Sequence, residues 1–248
     1  MKALVLDIDG TITHRDRKID CRAVEVIRRI RVPVILATGN TVCFATTTSR
    51  LIGIGGMVIA ENGGVVKAGY DEEEHIIGDI SPCIRAFEIL KKHFDLEKLD
   101  PSYRRTEIAV RRNFDLDKAR TILSGTELEK EVDIVDSGFA LHIKNRKVNK
   151  GVGLKKLAEL FYWSVKDVAV IGDSENDVEM FEVAGLGIAV GNADDKLKEI
   201  ADFVTKKEYG AGFVEAMEFL FPKLIQSHYK HDCTYHQQDD ADDTFYER

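Results

Sequence analysis

Two carboxylates stand two residues apart in Asp7-Ile8-Asp9-Gly10-Thr11, directly after the apolar run Ala3-Leu4-Val5-Leu6. If extended geometry persists past the strand, both side chains share a face. One can then attack a phosphorus atom while the other carries a proton to the leaving oxygen. The same residues would also serve as a plain strand-to-turn junction. A second acidic group, Gly172-Asp173-Ser174-Glu175-Asn176-Asp177, follows the apolar Val168-Ala169-Val170-Ile171. Asp173 and Asp177, with Asn176 between them, can supply oxygen ligands to Mg²⁺, which needs only one or two direct carboxylates. An acid-rich helix start favoured by the macrodipole is the plainer alternative. A calcium EF-hand loop beginning at Asp173 is excluded, because Val178 and Ala184 occupy the positions of its turn glycine and bidentate glutamate. In Leu36-Ala37-Thr38-Gly39-Asn40, the Thr38 hydroxyl and the backbone N–H groups around Gly39 can hold a phosphate, or make an ordinary cap. Lys150, in Val148-Asn149-Lys150-Gly151, can neutralise a phosphoryl group as a point charge, or can simply be solvated.

The elements that must position these groups alternate. Lys2–Leu6, Val32–Ala37 and Met57–Ala60 read as short buried strands. Between them, Asp20 caps a helix with Ala23, Val24, Ile27 and Ile30 on one face, and Phe44, Ala45, Thr48, Leu51 and Ile52 follow helical spacing. Such βαβ units imply a parallel sheet covered on both faces. The middle differs. Ser81-Pro82 starts a helix with Ile84, Phe87, Leu90 and Phe94 on one face, and Asp115 caps another. Thr106–Arg111 alternates polar and apolar residues, and Glu131–Val135 and Phe139–Ile143 form strands joined at Asp136-Ser137-Gly138. These predict a small α+β layer with one face in water. From Lys150 the first style returns, with strands at Val168–Ile171 and Leu186–Val190, and a last helix carrying Phe213, Val214, Met217, Leu220 and Leu224. The expected architecture is α/β: a doubly wound, Rossmann-like parallel-sheet core in two pieces, 1–79 and 149–226, with an inserted α+β cap at 80–148. Residues 227–248 read as a disordered acidic tail.

Composition narrows the function classes. The 248 residues are 44% hydrophobic and 31% charged, which excludes a mainly disordered chain. The net charge of −8 gives no electrostatic footprint for nucleic acid. In the tail, Asp232, Asp239, Asp240, Asp242, Asp243 and Glu247 outweigh Lys230 and Arg248, giving −4, so the first 226 residues are also at −4. No run approaches the ~20 apolar residues of a membrane span. Cys21, Cys43, Cys83 and Cys233 are scattered, which points to a reducing cytoplasm and to neither zinc nor disulfides. His228, His231, His236 and Cys233 lack a packed setting for a metal. Arg104, Arg105, Arg111 and Arg112 are expected on a solvated cap surface, with a substrate carboxylate or RNA as alternatives, and His142, facing opposite to Leu141 and Ile143, is expected to meet water, with a place looking down on the strand-end site as the alternative.

Taken in order, strand–DxDGT, strand–TGN, Lys150 and strand–GDxxND around an insertion resemble the haloacid dehalogenase superfamily of phosphohydrolases, over about residues 1–226. The insertion lies between the second and third motifs, similar to the C2-type cap of the Cof-like branch. Ala37-Thr38-Gly39-Asn40, Glu61-Asn62-Gly63-Gly64 and Gly172–Asp177 resemble the archaeal phosphoglycolate phosphatases. The resemblance implies that Asp7 is a nucleophile forming an aspartyl-phosphate and that Asp9 is the acid and base. It implies that Thr38, Gly39 and Lys150 bind the phosphoryl group, and that Asp7, the Asp9 carbonyl, Asp173 and Asp177 surround Mg²⁺. Asn40, where many Cof-like relatives carry Arg, and Asn176 are supporting residues; Lys147 is an alternative to Lys150. The implied substrate is a small phosphomonoester, first 2-phosphoglycolate, with a sugar phosphate phosphatase or a phosphomannomutase-like transferase as the alternative. A cytoplasmic monomer or homodimer without nucleic-acid or membrane partners is expected.

Overall fold

The computed structural model describes residues 1–137 and 140–222. Strand β1 (Ala3–Asp7) is buried along its whole length at the middle of a sheet. Leu4 and Leu6 pack with Leu36, Phe213 and Met217 on one side, while Ala3 and Val5 pack with Ile35, Leu154 and Met180 on the other. That double burial is what its uninterrupted apolar run encodes. After β1 come α1 (Cys21–Ile27), β2 (Val34–Ala37), α2 (Val42–Ile52), β3 (Val58–Ala60), β4 (Val65–Lys67) and β5 (Glu74–Ile76). The chain then leaves this sheet for α3 (Ser81–Leu90), β6 (Lys98–Leu99), β7 (Glu107–Arg111), α4 (Leu116–Ser124), β8 (Val132–Asp136) and β9 (Ala140–Asn145). It returns with α5 (Lys150–Leu160), β10 (Val168–Gly172), α6 (Val178–Val183), β11 (Leu186–Ala189), α7 (Asp195–Ile200), β12 (Phe203–Val204) and α8 (Tyr209–Leu220).

The large sheet runs β12-β11-β10-β1-β2-β3-β4-β5. The strands from β12 to β3 pair in parallel, as expected. Beyond β3 the sheet turns antiparallel, which the sequence reading did not anticipate. The cause is connection length: four residues separate β3 from β4, far short of the dozen or more that a parallel crossover needs. Capping follows the sequence. The Asp20 side chain accepts from the Arg22 and Ala23 amides, Asp115 accepts from the Lys118 amide, and Pro82 sits in the first turn of α3. Leu224, Gly138, Phe139 and the tail lie outside the described residues. No helix among the described residues is long and apolar enough to cross a membrane.

The inserted layer is a four-stranded antiparallel sheet, β6-β7-β9-β8. Ile108, Val110, Leu141 and Ile143 meet Phe87, Leu90, Ala119 and Leu123 from α3 and α4. The alternation of β7 and β9 therefore turns Glu107, Ala109, His142 and Lys144 the other way. The expectation that this second face meets water is corrected: all four residues are buried, because the face is laid against the loops that follow β2 and β3 at the strand ends of the large sheet.

Candidate active site

Parallel strands bring their carboxyl ends to one edge, where ligands of such sheets bind. Asp7 at the end of β1 pairs with Ala37, and Leu6 with Ile171, so Asp7, Thr38 and Asp173 emerge side by side. Gly10 then turns the chain with φ +91°, and any Cβ there would run into the Asp173 carboxylate. Only glycine allows that turn to close on Asp173.

Carboxylate oxygens of Asp7, Asp173 and Asp177 all lie within 4.8 Å of one another. Lys150, at the start of α5, is fully buried among them. Its Nζ lies 2.6 Å from Asp7 Oδ1, 2.6 Å from Asp177 Oδ1 and 3.1 Å from Asn176 Oδ1. Gly151 follows because α5 and α6 touch there; a Cβ would strike the Glu179 carbonyl. One lysine cannot balance three buried acids. Burial pushes the Asp7 carboxyl well above the usual range; Lys150 pulls it back, and Asp177 and Asp173 push it further. Burial and then Asp177 raise Asp173 to about 7, against the Thr11 hydroxyl that donates to it at 2.9 Å. For Lys150, burial opposes the charge, but Asp177 and Asp7 outweigh it and hold the ammonium above the ordinary lysine range. A hard divalent cation fits this oxygen-only donor set and would relieve the excess negative charge. Asp177 Oδ1 is taken by Lys150, and its Oδ2 accepts from the Asp173 and Ser174 amides, so it orients the loop and the lysine.

Asp9 is held from two sides. Arg17 Nε donates to Oδ1 at 2.8 Å and Asn40 Nδ2 to Oδ2 at 3.0 Å. Asn40 is thus tied to the second carboxylate of the pair. The buried Thr38 hydroxyl accepts from the Asn40 amide at 3.0 Å. Asp7, Asp9, Thr38, Gly39 and Ser174 line a narrow cleft with Asn176 beside them and Ser137 of the cap also in its wall. A larger groove between α1 and α2 shares Asp9 and Arg17 but is mainly apolar, walled by Val24, Phe44 and Leu51. Lys147 is exposed, away from this charge cluster.

The cap side corrects two expectations. Arg104 is buried, not solvated: Nη1 donates to the Gly39 carbonyl at 3.0 Å and pairs with Glu107. His142 is fully buried and away from water, with Nδ1 2.7 Å from Glu107 Oε1 and Nε2 3.1 Å from Ser137 Oγ. Glu107 Oε2 also accepts from Asn62, and Asn62 Oδ1 accepts from Asn176. Burial works against the charge of Glu107, yet His142, Arg104 and Asn62 together hold its carboxyl below the usual range. Glu61 accepts from the Arg105 and Thr106 amides and the Thr106 hydroxyl, while burial and Glu107 raise its carboxyl. Arg105, Arg111 and Arg112 do lie on the surface, the last two paired with Glu97 and Asp136.

Asp7, Asp9, Thr38, Gly39, Asn40, Lys150, Asp173, Asn176 and Asp177 therefore converge on one strand-end site. Sequence reading missed Arg17, Asn62, Glu107 and Ser137. Ser137 was visible only as a turn residue and Asn62 only within a resembling string.

The comparisons with known proteins agree with this geometry. A family model described as haloacid dehalogenase-like hydrolase matches residues 4–93 and 91–217. The chain is 53% identical over 219 residues to a protein of Methanosarcina mazei named phosphoglycolate phosphatase, covering 88% of this chain and 96% of that one. A protein of the same name from Archaeoglobus fulgidus is 52% identical over the same shares. A crystal structure from Thermoplasma acidophilum superposes with a TM-score of 0.79 at 26% identity, covering 88% of this chain and 97% of that one. A haloacid dehalogenase-like hydrolase from Bacteroides thetaiotaomicron shares the fold, with a TM-score of 0.72 at 22% identity and coverage of 89% and 99%. With its strand-end acids, its inserted cap and these matches, the chain belongs to the haloacid dehalogenase-like hydrolase family.

Proposed function

We propose that this protein is a Mg²⁺-dependent phosphomonoesterase for a small phosphorylated metabolite, with 2-phosphoglycolate as its substrate. The observation that carries the reading is the pairing of Asp7, on Lys150 in the cleft floor, with Asp9, held by Arg17 and Asn40 in the same cleft. Asp7 attacks phosphorus and the ester P–O bond breaks. Asp9 gives its proton to the departing alkoxide, so glycolate leaves as an alcohol. Asp9 then takes a proton from water, whose oxygen attacks the aspartyl-phosphate and returns free Asp7 and inorganic phosphate. Thr38 and the Gly39 turn hold the phosphoryl oxygens, and Lys150 orients Asp7 and favours its charged form. Asp7, Asp173 and the backbone near Asp9 would hold Mg²⁺, with Asp177 orienting them; when bound, the ion stabilises charge on the phosphoryl oxygens. The cap shields the cleft from bulk water. The small cleft and the names of the archaeal relatives support the choice of substrate.

The test is phosphate release from a panel of phosphomonoesters, with Mg²⁺ or EDTA, by the wild type and Asp7→Asn. We expect release that prefers 2-phosphoglycolate, needs Mg²⁺ and disappears in Asp7→Asn. A preference for hexose phosphates would overturn the substrate, and undiminished turnover by Asp7→Asn would overturn the mechanism.

A further inference from the structure

We infer that Arg104 and Ser137 form the subsite for the substrate's carboxylate, held in place by Glu107 and His142; the assignment rests on the 2-phosphoglycolate reading. The sheet side of the cleft, with Asp7, Asp9, Thr38 and Gly39, is committed to the phosphoryl group. The rest of a small substrate must face the cap. Ser137 lines the cleft from that side. His142 lies 3.1 Å from its Oγ, and a Cβ on Gly39 would come within 3.4 Å of the His142 ring, so this roof sits directly over the phosphate-holding turn. Arg104 reaches the same turn through its bond to the Gly39 carbonyl.

The chemistry of this roof is one of donors. Glu107 is its buried acid, and Arg104, His142 and Asn62 already occupy it. Most of its acceptor capacity is therefore used, which leaves little for the hydroxyls of a sugar. Arg104 is the reverse case: its side chain is 3% exposed, and its Nε–H is buried without a partner. A buried donor without an acceptor is costly, and a ligand oxygen is one group that would satisfy it. Arg104 and Ser137 are linked through Glu107 and His142, and guanidinium N–H groups together with a hydroxyl match the planar, twofold acceptor of a carboxylate. Glu107 pairs with the arginine and fixes the guanidinium, while His142 fixes the hydroxyl. The two groups are thus fixed by strand residues of the cap, Glu107 of β7 and His142 of β9.

The experiment compares kcat/KM for 2-phosphoglycolate and for 2-hydroxyethyl phosphate, in which a CH₂OH group replaces the carboxylate. It uses wild type, Ser137→Ala, Arg104→Gln and Arg104→Lys, with a melting curve for each. We expect wild type to favour the carboxylate ester. Ser137→Ala and Arg104→Gln should each cut that preference about tenfold or more. Arg104→Lys, which keeps the charge but not the fork, should fall between. Equal losses on both esters would mark a purely structural role and overturn the assignment, as would an intact preference in Ser137→Ala, the variant that perturbs packing least. A wild type without preference for 2-phosphoglycolate would instead overturn the substrate reading on which the subsite rests, before any variant is compared.

Discussion

The Lys150 ammonium lies 2.6 Å from Asp7 Oδ1, although 143 positions separate the two residues. Lys150 is fully buried and bonds Asp177 at the same distance. Replacing it by methionine leaves two acids in a dry pocket without their cation. Breaking a buried pair in this way costs about 3–5 kcal/mol. We expect Lys150→Met to be destabilised by that order in urea titrations and to lose phosphatase turnover by about a hundredfold or more. Adding Asp177→Asn should recover part of the stability, because the uncompensated charge is then smaller. Additive losses in the double variant would show that the two groups are not coupled.

The acidic cluster also sets a pH dependence. Asp173 is raised from the ordinary 3.8 to about 7, by burial first and Asp177 second. A carboxyl raised on folding stabilises the fold while it is protonated. That contribution is complete below about pH 4 and is lost as pH rises towards 7; Asp7 moves in the same direction. Protein stripped of metal should therefore melt at lower temperature at pH 7.5 than at pH 5.5. Mg²⁺ should raise the melting temperature more at pH 7.5, where it meets carboxylates already deprotonated. A Mg²⁺ shift that is larger at pH 5.5 would contradict this account of the cluster.

Asn40 acts on the second acid. Its amide donates to Asp9 Oδ2 at 3.0 Å, and Arg17 holds the other oxygen. Asn40→Ala leaves the carboxylate with one anchor and a wider range of orientations. We expect kcat to fall about tenfold with a smaller change in KM, because the loss is in positioning a proton donor and not in binding the ester. Asn40→Asp should be worse, since it replaces the donor to Asp9 by a further acid and adds repulsion. A change confined to KM would instead place Asn40 on the substrate.

The strand-end half of the site was legible because each of its parts is local. Apolar runs fix β1, β2 and β10, and the residues just past them must gather on one edge. The cap half was legible in its elements but not in its facing. Alternation along β9 set His142 opposite Leu141 and Ile143, yet nothing local says whether that second face meets water or another sheet. Long-range contacts decide it: Arg104 to Gly39 spans 65 positions and Asn62 to Glu107 spans 45. The antiparallel edge was missed for a different reason. Val65–Lys67 and Glu74–Ile76 are three-residue strands, too short for a period to register.

Cys83 reports on the cap from within. It is buried in α3 against the cap sheet, with its Sγ 3.8 Å from the Thr106 carbonyl. Burial and Glu107 push its thiol up to about 12, so almost no thiolate exists at pH 8. Cys21 and Cys43 are exposed. Brief treatment with iodoacetamide at pH 8, followed by mass spectrometry of the peptides, should find Cys21 and Cys43 labelled and Cys83 intact. Cys83 should react only when the cap sheet and α3 part. Its labelling rate is then the rate or population of cap unfolding, depending on whether closing is slower or faster than alkylation. Glu107→Gln removes the charge that Arg104, His142 and Asn62 share beneath the same sheet, and it should speed the labelling of Cys83 while leaving Cys21 unchanged. Labelling of Cys83 as fast as Cys21 in the wild type would mean that the cap opens freely and that its polar face is not held by this network.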